Sequence, residues 1–219
     1  MARSRTPQQQ EMKLPTHGGK RNRAGRKPSG ARAGVSHLAR SQVNGREPLH
    51  VGLRVRRGVP NLRWPRVFAE VKRAFEATAA QRDDFRVTHY SVQGNHVHLV
   101  VEADSSSALS RGMQALTIRI AKALNKLASR TGKVFADRFW SRVLKSPREV
   151  RHVIAYVLGN ARKHAERMGL WITLPPVDAC AAGPGQDRLS LSEPRTWLLR
   201  VGWTRVPVPR TRLAVPYAG

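Results

Sequence analysis

His96-Val97-His98 puts two imidazoles at positions i and i+2. On a strand those positions share a face, so both rings leave the sheet together while Val97, Leu99 and Val101 turn the other way. Two neutral imidazoles side by side are good donors for a divalent metal ion. The same spacing also serves paired strand histidines that only hydrogen-bond. Further along, Tyr156 and Asn160 are four apart in a stretch of helical period, so a phenol and an amide stack on one side of a helix. They border an apolar face made of Val150, Val153, Ile154, Val157, Leu158 and Ala161. At such a border, a half-buried tyrosine bonded to Asn160 or to a backbone carbonyl is the plain alternative to a reactive phenol.

The elements that must position these groups are legible in the spacing. Leu49, Val51, Leu53 and Val55 alternate with polar positions, as a strand with one apolar face requires. Pro65–Ala80 repeats apolar residues at helical spacing. Phe85–Val92, the turn Gln93-Gly94-Asn95 and His96–Glu102 read as a hairpin. Ser105-Ser106-Ser107 supplies a cap for a helix running to about Arg130, and Val134–Leu144 reads as extended. Ser146-Pro147-Arg148-Glu149 opens a last helix with a capping-box pattern. The predicted order is β-α-β-β-α-β-α. This is an α+β, ferredoxin-like antiparallel sheet with an additional C-terminal helix on its open face, and that helix carries Tyr156.

Charge narrows the partner. The chain has 219 residues, with 40 Lys+Arg against 14 Asp+Glu, a formal +26. Such an excess repels itself in a compact domain and calls for a polyanion; Lys and Arg gain affinity for nucleic acid by releasing counterions. Residues 1–47 carry 11 Lys/Arg and 2 acids, a net +9, and read as a disordered basic N-terminal arm. Its Arg23–Gly30 stretch resembles arms that enter AT-rich minor grooves. Residues 48–168 carry 23 and 9, a net +14; residues 169–219 carry 6 and 3, a net +3, in a Pro-rich, mostly irregular C-terminal tail. The single Cys180 leaves no intramolecular disulfide and fits a reducing compartment. No signal peptide and no membrane span is expected, so the location expected is cytoplasmic and nucleoid-associated, with no membrane partner.

GNHVHLVVE, the Ser/Ala-rich helix after it, and GKVFADRFWSRVLKSPREVRHVIAYVLGNARKHA resemble the HUH single-tyrosine transposases, nearest to the REP-associated branch with its IS200-like domain. The resemblance spans residues 48–168. It implies that His96, His98 and Asn160 hold Mg²⁺ or Mn²⁺, that Tyr156 is the catalytic nucleophile, and that Lys163 is the basic residue one turn further on. The reaction it implies is cleavage and transfer of single-stranded, hairpin-containing DNA through a 5′-phosphotyrosine. The covalent link conserves bond energy, so no ATP is needed to rejoin ends. A neutral phenol is a weak nucleophile at pH 7, and a metal compensates by drawing charge from the phosphate. Where the family often has Asn-Pro, this chain has Asn160-Ala161, which lets the helix continue.

Other residues join the expected surface. Arg138, Trp140 and Arg142 alternate before the last helix; Trp140 reads either as a platform for an unpaired base or as a core residue. Arg151, Arg162 and Lys163 read as phosphate contacts or as a solvated basic face. His50 and His89 fit either the metal face or an ordinary polar face. Tyr90 is the rival nucleophile, without an amide partner four residues on. Two other functions stay open on this reading. One is a non-catalytic nucleic-acid-binding module. The other is a water-using metal phosphoesterase, for which Glu102, on the histidine face of its strand, is the available carboxylate. Helix faces leave monomer and homodimer both open.

Overall fold

The computed structural model describes Val35, residues 42–160, Arg162, residues 178–184, Gln186, Asp187 and residues 191–207, all within the unit Val35–Gly219. Most of the expected basic arm, Lys163 and much of the tail lie outside the described residues. From the arm, Val43 packs against the core and its N–H donates to Ser106 Oγ at 3.0 Å.

Five strands form one antiparallel sheet: β1 (Leu49–Arg54), β2 (Phe85–Val92), β3 (His96–Ala103), β4 (Trp140–Val143) and β5 (Ala181–Ala182). Their order across the sheet is β4-β1-β3-β2-β5. The first four in that order give the ferredoxin-like arrangement expected from the element sequence. Odd-numbered residues of β1 and β3 point to one face. There Leu49, Val51, Leu53, Val97, Leu99 and Val101 meet helices α1 (Pro65–Ala79) and α2 (Ser106–Leu127) in a single core. Pro65 at the first turn starts α1, and Ser105 Oγ caps α2 by accepting from Ala108 N–H at 3.1 Å.

Two expectations are shortened. Helix α2 stops at Leu127, and of the stretch 134–144 only Trp140–Val143 is a strand, with Phe135 bridging Val55. Asp137 explains the second. Its carboxylate accepts from its neighbour Arg138 N–H at 2.7 Å and from Val35 N–H at 2.6 Å, which turns the chain out of the extended line.

The other face is covered by α3 (Pro147–Leu158) and by the segment 191–207, which contains α4 (Trp197–Arg200) and a 3₁₀ turn (Gly202–Arg205). Val150, Ile154 and Val157 of α3 pack with Val100 of β3, Leu144, Leu198 and Leu199 in a second core. The tail, read as mostly irregular, therefore supplies part of a layer. Glu102 draws it in, accepting from Arg195 N–H and Thr196 N–H at 2.8 Å each.

Candidate active site

Register decides which side chains share the open face. In β3–β1 pairing, Gly52 stands opposite His98 and Arg54 opposite His96; in β1–β4 pairing, Gly52 stands opposite Trp140. His50, Gly52 and Arg54, His96 and His98, and Trp140 therefore all project toward the α3 side. On α3, Ser146 Oγ accepts from Glu149 N–H, and Glu149 in turn accepts from Lys145 N–H at 2.7 Å. This cap sets the helix start, and two turns on Tyr156 comes down onto the histidines. Its Oη lies 3.4 Å from His98 Nε2, with ring centroids 5.1 Å apart.

The histidines are held from behind. His96 Nδ1 lies 2.8 Å from Asn95 Oδ1, an acceptor, so Nδ1 carries the proton and Nε2 keeps its lone pair. His98 Nδ1 lies 3.2 Å from His50 Nε2. His50 is 8% exposed, and its pKa is lowered to about 4, mainly by burial and then by the positive charge of Arg142. It is thus neutral at pH 7 and can accept a hydrogen bond from His98 Nδ1–H, leaving His98 Nε2 toward Tyr156. Trp140 meets His50 edge-on, with centroids 4.7 Å apart. For His50, sequence reasoning left the metal face and an ordinary polar face both open. The available signal was its i, i+2 relation to Gly52 on a strand that must pair with His96–His98.

Asn160 does not continue α3. The helix ends at Leu158, and Gly159 (φ −91°, ψ 6°) is its cap, so the expected uninterrupted turn from Tyr156 to Asn160 is broken there. The break falls at a glycine, in a conformation that any residue can adopt. Asn160 is helical again, 1% exposed, and its Nδ2 has no hydrogen-bond partner among the described residues. A buried amide left this way is costly unless a ligand completes it.

The other expected contacts divide. Arg162 is exposed. Arg151 is not on a solvated face: it is buried and donates to the Trp203 and Val206 carbonyls at 3.3 and 3.0 Å, tying α3 to the C-terminal segment. Arg142 is paired with Glu149 at 2.6 Å. Arg138 lies before β4 and lines a separate groove with Met113 and Phe139, so the Arg-Trp-Arg alternation is not one strand face. Tyr90 is 2% exposed in the core on the α1 side, donates to Asp187 Oδ2 at 2.8 Å, and has its pKa raised by burial. His89 is 3% exposed, beside Gly183 and away from solvent. Glu102 pairs with Arg86 at 3.2 Å besides holding the two tail N–H groups.

Residues 60–157 match the family model described as transposase IS200-like. Over these residues, a little under half of the chain, the similarity is to IS200-like transposases. The match takes in His96, His98 and Tyr156; β1, with His50 and Gly52, lies before it and Asn160 after it. The fold is similar to that of a REP-associated tyrosine transposase solved bound to a REP hairpin, with a TM-score of 0.53 and 16% identity over 67% of this chain and 82% of that one. A Deinococcus radiodurans R1 protein assigned as a transposase gives 0.38 and 12% over 62% and 96%. A bacterial tRNA(His) guanylyltransferase-like protein in complex with GTP gives 0.42 and 12% over 64% and 73%. No curated protein matches.

Proposed function

We propose that this transposase domain cuts and rejoins single-stranded DNA at hairpin-bearing sites through a covalent link to Tyr156. The observation that carries the reading is the approach of Tyr156 Oη to 3.4 Å from His98 Nε2, from a helix on the opposite side of the cleft. In the reaction, Tyr156 Oη attacks phosphorus, an O–P bond forms and the bond to the 3′ oxygen breaks. The phenol proton is balanced by the one gained at the departing 3′-OH. The 5′ end stays on Tyr156, and a second 3′-OH reverses the step to join a new end.

His96 Nε2, His98 Nε2 and the Asn160 amide are the donors that would hold Mg²⁺ or Mn²⁺. They fit such an ion by the chemistry of the set: both imidazoles have their second nitrogen engaged, and the Asn160 amide would offer its oxygen, not the buried Nδ2, which is a donor. When bound, the ion supplies charge stabilisation at the phosphate oxygens. The donors are neutral, and among the described residues no carboxylate that would repel DNA lines the pocket beside the histidines. His50 holds the His98 ring from behind. Arg54, Arg162 and the net charge of residues 48–168 attract the backbone, and the basic arm adds nonspecific hold. A cytoplasmic, nucleoid-associated setting fits this substrate.

The water-using alternative is disfavoured because Glu102, its available carboxylate, is engaged by Arg86 and two backbone N–H groups. The test uses hairpin oligonucleotides with single-stranded flanks and Mn²⁺ or Mg²⁺, scored for an SDS-resistant protein–DNA adduct. The adduct is expected for the natural chain and lost in Tyr156→Phe and His96→Ala, with DNA binding kept. Cleavage without an adduct supports hydrolysis, and binding without cleavage of any hairpin supports a binding module.

A further inference from the structure

Beside the two histidines lies a pocket of about 330 Å³ whose walls include Gly52, Arg54, Asn95, His96, His98 and Trp140. Its shape depends on one missing side chain. A Cβ at Gly52 would overlap Trp140 Nε1, so the indole can lie across β1 toward β3 only because position 52 is glycine. Trp140 remains 36% exposed, a large share for an aromatic that already meets His50 edge-on. Asn95 is exposed, and its Oδ1 is engaged by His96, which leaves its NH₂ as a donor at the rim. Arg54, opposite His96 in register, is exposed and makes no ion pair among the described residues.

A flat π surface, an amide donor and a guanidinium beside one cleft are the chemistry that recognises a nucleobase with its attached phosphate. A sugar ring lacks the π face, and a peptide has no need of the cation next to a neutral imidazole pair. We propose that Trp140, Gly52, Asn95 and Arg54 form a subsite for one unpaired base of the nucleotide adjoining the cleaved phosphate. The base stacks on Trp140 and is read at its edge by Asn95, and Arg54 takes the neighbouring phosphate. The proposal deepens the DNA-cleaving reading and rests on it for the identity of the adjoining phosphate. It makes this pocket, rather than the Arg138–Trp140–Arg142 alternation, the place where sequence preference at the cut arises.

The test is a double-mutant cycle on the full chain carrying Tyr156→Phe, so that the DNA stays intact. Affinity is measured for a hairpin oligonucleotide with a single-stranded flank, with and without Trp140→Leu, while an abasic site is walked along the flank. Trp140→Leu is expected to weaken binding roughly 5- to 150-fold, the range for one lost stacked base. One abasic position should cause a loss of similar size, with no further loss when both changes are combined, and Trp140→Phe should keep most of the affinity. Independent losses at every position, or full affinity in a Trp140→Leu protein that melts like the parent, overturn the subsite. If Trp140→Leu does not fold, 2-aminopurine placed along the flank reads the same contact in the Tyr156→Phe protein. Quenching confined to one position supports the subsite, and its absence at every position overturns it. The cycle reads binding alone, so it succeeds or fails separately from the adduct assay.

Discussion

Changing Glu102 to Gln separates a structural carboxylate from a reactive one. Glu102 is 1% exposed and accepts three hydrogen bonds: from Arg86 Nε at 3.2 Å, and from Arg195 N–H and Thr196 N–H at 2.8 Å each. Arg86 is itself buried, donates to the Asp83 carbonyl, and reaches Asp104 at 2.9 Å. Gln keeps the shape but removes the charge, and one end of its amide becomes a donor facing other donors. Removing one partner of a buried pair costs about 3–5 kcal/mol, because the guanidinium then keeps only the exposed Asp104 as its counter-charge. In a domain of this size each kcal/mol shifts Tm by roughly 2–4 °C, so a fall of about 6–20 °C is expected. The loss should start in the segment 191–207. Trypsin sites at Arg195, Arg200 and Arg205 should become the first cut under native conditions, as read by mass spectrometry. Adduct formation should fall with them, since Leu198 and Leu199 complete the packing of the helix that carries Tyr156. The double change Arg86→Gln with Glu102→Gln should cost less than the two single changes added together. An unchanged Tm with cleavage abolished would refute this reasoning and place Glu102 in the chemistry.

Three further outcomes are expected. His50→Ala should slow adduct formation about 10- to 100-fold and raise the Mn²⁺ concentration needed for it, while DNA affinity in the Tyr156→Phe background is kept; unchanged metal dependence would deny His50 a role behind His98. Burial lowers the His89 pKa to about 3, so the unfolded chain binds one more proton than the folded one between pH 6.5 and that value. Stability present above pH 6.5 is therefore lost by about 1.4 kcal/mol per pH unit as pH falls through that window, and His89→Leu should flatten the slope in urea titrations. Binding of Tyr156→Phe to hairpin DNA should weaken with salt along a slope of about −5 in log K against log salt, as for roughly six neutralised phosphates. A slope near zero would contradict the electrostatic reading of the +14 on residues 48–168.

Local signals carried most of the fold. Alternation in Leu49–Val55 and His96–Glu102, the Ser105 and Ser146 caps, and the turn at Gly94 each act within a few residues, and the sheet order followed from their sequence. The direction of His96 and His98 was legible for the same reason. His50 was not, because its place beside His98 depends on the pairing register between strands far apart in the chain. Arg151 and Glu102 were unreadable in a different way. Both side chains bond the backbone of residues 195–206, and no spacing rule in the sequence announces that this segment returns across α3. The break at Gly159 was masked by the i, i+4 spacing of Tyr156 and Asn160.

The segment that braces α3 also sets a schedule. Chains are made from the N-terminus, and their parts fold as they emerge. The sheet, the histidines and Tyr156 itself are synthesised before Leu198, Leu199 and the Trp203 and Val206 carbonyls that hold α3. A nascent chain that has released Tyr156 still lacks the brace that seats it. The order of residues along the gene product thus acts as a timer: the packed cleft arrives after His96, His98 and Tyr156 have been translated, and a ribosome stalled short of residue 191 holds an unbraced α3.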